Sequence, residues 1–102
     1  MSMGATVVTY TVAASNADEL CKNVEKHLVP AARSAQGYKG FLLLDQGEGK
    51  RTAILLFESA DAARAAQAII GPVGAQYTYA LMSSPAIGAL GTAIVSDGLF
   101  AL

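Results

Sequence analysis

The chain has no tryptophan, a single histidine, a single cysteine and three prolines among its 102 residues, and each scarcity closes off a class of chemistry. Cys21 has no partner for an internal disulfide, so burial has to hold the fold together. The opening MSMGATVV lacks the basic flank of a secretory leader, which makes the cytoplasm the expected compartment. One histidine and one cysteine cannot supply the Cys/His spacing of a zinc site, and neither a G-x-S-x-G elbow nor a paired-carboxylate motif occurs. Charged residues make up 15% of the chain, the net charge is −1, and the Lys and Arg are scattered. Neither nucleic acid nor an anionic membrane surface is therefore an expected partner. No charge occurs between Arg64 and Asp97, but Gly71, Pro72, Gly74, Gln76, Ser83, Ser84, Pro85, Gly88 and Gly91 divide that stretch. It never reaches the ~18 apolar residues of a spanning helix and reads as a buried or pocket-lining segment.

What is present is apolar. Such residues make up 53% of the chain, more than a lone domain of this length readily buries. Residues 1–102 form a single domain by length. Thr6 to Ala13 is rich in β-branched residues and reads as a strand, with Val8, Tyr10 and Val12 facing one way and Val7, Thr9 and Thr11 the other. Ser15 or Asn16 can cap a helix whose buried stripe is Leu20, Val24, Leu28, Ala31 and Ala35. Pro30 lies inside that stripe and pushes against the carbonyl of Lys26, so a kink or restart is expected there, with Gly37 ending the helix. Tyr38–Asp45 and Arg51–Phe57 read as antiparallel strands joined by a hairpin whose Gly47-Glu48-Gly49 has no following helix and so is no nucleotide loop. Ser59 caps a second helix from Ala60 to about Ile70, stopped by Gly71-Pro72. Residues 73–83 fit a helical face or an alternating strand, the short helix being preferred; Ala89–Ser96 is the last strand and Asp97–Leu102 a tail.

The resulting order, β-α-β-β-α-β, is that of a ferredoxin-like α+β fold with a four-stranded antiparallel sheet. Helices on one face of such a sheet leave the other to water, yet Phe41–Leu44 and Ala53–Phe57 are apolar on both faces. Four large side chains left wet would forfeit about 6 to 12 kcal/mol, comparable to the whole stability of a domain. A second copy, packed sheet to sheet about a two-fold axis, is the expected cover, and the chain is expected to be a homodimer.

Gly37-Tyr38-Lys39-Gly40-Phe41 resembles the P-G-F-x-G-F element of the dimeric α+β barrel superfamily that includes the antibiotic-biosynthesis monooxygenases, with Gln36 in the proline place. Phe57-Glu58-Ser59-Ala60-Asp61-Ala62-Ala63 is similar to its W-E-S-x-E-A strand-to-helix junction, with Phe57 where tryptophan is common. The resemblance implies an apolar pocket between sheet and helices in each subunit. Members variously oxidise aromatic polyketides without metal or flavin, degrade haem, or isomerise lactones. The haem-degrading branch implies a first-strand asparagine, a second-helix tryptophan and a histidine after it. Here the first strand has no Asn, there is no Trp, and the histidine region reads Gln76-Tyr77-Thr78-Tyr79. No cofactor is therefore expected.

His27 is the one side chain whose ordinary pKa lies near neutrality, and it borders the stripe beside Val24 and Leu28. It is the candidate acid–base residue, or else a half-exposed helix position beside Lys26. Tyr77, Tyr79 and Met82, with Tyr10 from the first strand, suit a pocket for a flat apolar or aromatic ligand, or equally a packed core. Cys21 reads as a small buried filler rather than a nucleophile. Two functions follow: a cofactor-free oxygenase or isomerase acting on a small aromatic or polyketide-like molecule, and a non-catalytic dimeric module binding a small ligand or a partner.

Overall fold

A computed structural model describes residues 2–99. Strand β1 (Gly4–Thr11) leads into helix α1 (Ala14–Asn23), a π-helical turn (Val24–Leu28) and helix α2 (Val29–Ser34). Strands β2 (Tyr38–Asp45) and β3 (Lys50–Phe57) follow, then helix α3 (Ala60–Tyr77), a 3-10 turn (Tyr79–Leu81) and strand β4 (Ile87–Thr92). All neighbouring strands are antiparallel, in the order β2-β3-β1-β4. This is the ferredoxin-like α+β arrangement.

The register sorts the sheet into two faces. Phe41 pairs with Leu55 and Leu43 with Ala53, while Leu55 pairs with Thr6 and Ala53 with Val8, and this set lies under the helices. The core gathers there, with Phe57 at 0% exposure and its ring edge-on to Tyr38 at 6.2 Å. On the opposite face Leu42 pairs with Ile54, Ile54 with Val7, and Leu56 with Ala5. Leu42 and Leu44 remain 55% and 42% exposed, so both faces of the sheet are apolar as the sequence implies.

Three departures have physical causes. Helix α1 begins one residue before Ser15 with no side-chain cap, because the N-cap position falls on Ala13, which has no side-chain acceptor; Asn16 lies inside the first turn, where its Nδ2 donates to the Leu81 carbonyl at 3.4 Å. Ahead of Pro30 the helix widens rather than breaks, the Val29 N–H donating to Val24 five residues back. The wider turn accommodates one more residue, so Ala32, not Ala31, is buried. Helix α3 does not stop at Gly71-Pro72 but runs through to Tyr77, absorbing residues 73–77, and a 3-10 turn follows at Tyr79–Leu81. Pro72 is exposed, so its ring meets no packed neighbour, while Gly74 and Thr78 beyond it are buried and hold the extra turns in place.

The last strand starts two residues earlier than expected and ends at Thr92. After the Ala93 N–H bonds to Met3 at 2.8 Å, β1 offers no further partner, and Ile94 and Val95 project at 92% and 86% exposure. The end of the expected tail, residues 100–102, lies outside the described residues. Gly49 closes the β2–β3 hairpin at φ +78, where a Cβ would sit 2.4 Å from the Val12 carbonyl oxygen. Among the described residues no helix is long and apolar enough to cross a membrane.

Candidate functional site

The helix-covered face of the sheet does not fill completely. Val8 and Tyr10 of β1, Phe41 and Leu43 of β2, and Ala53 of β3 form one wall of a cavity of about 70 Å³. Val24 and Leu28 of the π-turn, together with α3, close it from the other side, and Tyr79 and Met82 complete the lining. The α3 contribution is a single stripe of Gln67, Ile70, Gly71, Gly74 and Thr78, spaced as successive turns of one helix face. Two of those five positions carry no side chain, although glycine inside a helix costs about 1 kcal/mol relative to alanine.

The polar groups at the wall are few. Thr78 Oγ1 donates to the Gly74 carbonyl at 2.5 Å, and Gln67 Nε2 donates to Thr6 Oγ1 at 3.3 Å. Tyr10 is 6% exposed, and among the described residues no buried side-chain oxygen or nitrogen is left without a hydrogen-bond partner. Burial pushes the Tyr10 phenol above its ordinary pKa of 10.0, opposed by the nearby Arg51 guanidinium and helped by Cys21. At neutral pH it is therefore a protonated donor and not a base. No carboxylate, imidazole or ammonium lines the cavity. Such a chamber can exclude water, align a flat apolar molecule and donate one hydrogen bond to an oxygen. At about 70 Å³ it is roughly half the ~150 Å³ that holds a benzene ring, so a ligand has to open it, and Tyr79, 52% exposed, is the lining side chain freest to rotate out of the way.

No family model matches the chain, and no curated protein matches it. Solved structures do. A Nitrosomonas europaea protein of unknown function superposes with a TM-score of 0.80 at 16% identity, over 99% of this chain and 98% of its own. SnoaB, a cofactor-independent oxygenase from Streptomyces nogalater, gives 0.76 at 22% identity, over 94% and 97%. A candidate antibiotic-biosynthesis monooxygenase from Caulobacter crescentus gives 0.73 at 19% identity, over 92% of each chain. The fold is that of the antibiotic-biosynthesis-monooxygenase-like proteins.

Within that fold, the residues singled out from sequence divide into two groups. Tyr10, Tyr79 and Met82 line the cavity. His27 and Tyr77 do not: their rings stack on each other, centroids 3.6 Å apart and 5° from parallel, outside its lining. Asn23, one turn before His27, donates from Nδ2 to the Tyr77 carbonyl at 2.9 Å. That bond and the ring stack tie the π-turn to the end of α3. Among the described residues no cluster of His, Cys, Asp and Glu could hold a metal ion. Gln67, Gly71, Gly74 and Thr78 fall in the uncharged stretch read as buried or pocket-lining, but their common stripe becomes visible only when the second helix is carried past Pro72.

Proposed function

We propose that the chain is a homodimeric, cytoplasmic protein whose subunits each take a small aromatic or polyketide-like molecule into the cavity, for cofactor-free oxygenation or isomerisation. The observation that carries this reading is the apolar cavity under the sheet with the buried Tyr10 phenol in its wall. The fold shared with SnoaB, a cofactor-independent oxygenase, supports the reaction class.

The lining offers no base, so the substrate has to ionise readily by itself, as electron-rich hydroxyaromatics do. Tyr10 then donates to the substrate oxygen on which charge develops, and the dry walls keep the reactive form from water. The dimer is supported by the open sheet face, where Leu42, Leu44, Ile54 and Leu56 lie side by side. A second reading, a binding module without catalysis, is favoured by the absence of any acid–base pair in the lining.

Oxygen uptake measured with 1,4-dihydroxynaphthalene, with and without protein, separates the two. The enzymatic reading expects protein-dependent uptake that falls at least about tenfold in Tyr10→Phe. Binding without uptake favours the module. Failure of any small hydroxyaromatic to perturb cavity resonances in an NMR titration overturns both readings.

A further inference from the structure

We infer that the stacked rings of His27 and Tyr77 limit the size of molecule the cavity admits, by clasping the π-turn to the end of α3 and so fixing the gap between the cavity's two helical walls. The inference rests on the pocket reading above and adds the residues that set its capacity.

The sheet wall and the helical wall differ in how they can yield. Paired strands make the first, and their ladders of backbone hydrogen bonds hold Val8, Tyr10, Phe41, Leu43 and Ala53 at fixed spacing. The second is a seam between the π-turn and α3. On its inner side Leu28 leans on bare backbone, its Cδ1 3.8 Å from where a Cβ on Gly74 would stand. On its outer side two contacts fasten it. The His27 and Tyr77 rings lie face to face with centroids 3.6 Å apart, and Asn23 Nδ2 donates to the Tyr77 carbonyl at 2.9 Å. Tyr77 ends α3, and the cavity residues Thr78 and Tyr79 follow it directly.

Neither stacked ring lines the cavity, so both are positioning residues. At about 70 Å³ the chamber is well short of the ~150 Å³ that holds a benzene ring. Rotation of Tyr79 clears one end of it, whereas width is gained by parting the seam, and parting the seam breaks the clasp. A protein whose competent state is only partly populated binds with an affinity lowered by that fraction. Loosening the clasp therefore raises the apparent affinity, and does so most for the wider ligand.

The test uses the full chain and two probes, phenol followed by NMR titration and 2-naphthol followed by its own fluorescence at equilibrium and in stopped flow, with thermal denaturation alongside. His27→Ala is expected to lower Tm yet tighten 2-naphthol binding by about two- to tenfold, the gain lying in the association rate, and to change phenol binding less. His27→Phe rebuilds the stack and should return 2-naphthol to its wild-type constants. A merely structural stack gives the lower Tm without the gain. A folded His27→Ala that binds 2-naphthol no faster and no tighter than wild type overturns the inference and leaves the pocket reading intact, the ligand then entering past Tyr79 alone. Persistence of the gain in His27→Phe overturns it equally. If His27→Ala does not fold, Asn23→Ala, which removes the other fastening, is judged by the same criterion. Wild-type protein that binds neither probe overturns the pocket reading itself, and the clasp with it.

Discussion

The open face of the sheet permits a quantitative forecast. Full burial of a leucine side chain is worth about 1.5 to 3 kcal/mol, and Leu42 and Leu44 are still 55% and 42% exposed in the single chain. Covering what remains exposed on this pair contributes about 1.5 to 3 kcal/mol per subunit, and symmetry doubles it to about 3 to 6 kcal/mol per dimer. Replacing both by lysine removes that term and adds two charges to a desolvated surface. The dimer dissociation constant should therefore rise by about 10² to 10⁴ at least, at about 1.4 kcal/mol per decade. Leu42 and Leu44 lie on β2, an edge strand whose other side carries the core contacts, so the variant subunit should keep its secondary structure. Sedimentation equilibrium across a hundredfold concentration range, with circular dichroism on the same samples, measures both quantities. If the wild-type chain is a monomer at micromolar concentration, or if a folded double variant self-associates as tightly as wild type, the sheet-face dimer is refuted.

Three further outcomes follow from single residues. Phe57→Ala removes a fully buried ring from the helix-side core and should cost about 3 to 5 kcal/mol in urea denaturation; a loss below about 1 kcal/mol would show that the cluster around it repacks freely. Gly49→Ala forces a Cβ against the Val12 carbonyl at positive φ and should destabilise by about 1 to 3 kcal/mol, whereas Gly47→Ala, with no atom within 4 Å, should lose less. Tyr10 has its phenol pKa raised by burial, so the unfolded chain ionises first. Its contribution to stability is complete below pH 10 and is lost as pH rises through the higher folded value. Wild type should therefore lose stability above pH 10 more steeply than Tyr10→Phe, and equal slopes in alkaline denaturation would contradict the burial.

Much of this architecture is legible in the residues because local and long-range preferences agree there. The β-branched run from Thr6 and the two apolar strands around the Gly47-Glu48-Gly49 turn form strands on their own terms and then find each other in register. Ser59 caps α3 as read, accepting from the Ala62 N–H at 3.0 Å. Part of the site was legible on the same basis, since Tyr10 faces with Val8 and Val12 by strand alternation and Tyr79 and Met82 lie in the uncharged stretch. His27 illustrates the limit: the helical spacing places it at the margin of the stripe but cannot say which way a marginal side chain turns, and here it turns onto the Tyr77 ring.

The two prolines that lie in helices mark where local rules yield to packing. Pro30 cannot donate to Lys26, and the chain answers with a π-turn that keeps the helix going and moves the buried position from Ala31 to Ala32. Pro72, beside Gly71, looks like a stop signal, yet Gly74 and Thr78 are buried beyond it and the helix continues. Two of the segments on which a purely local reading fails also wall the cavity: Val24 and Leu28 from the π-turn, Gly71 and Gly74 from the turns around Pro72. A helix built only for stability would carry neither a widened turn nor two glycines and a proline within four residues. Those exceptions converge on one cavity because the packing that overrides the local rules there is the packing that builds its walls.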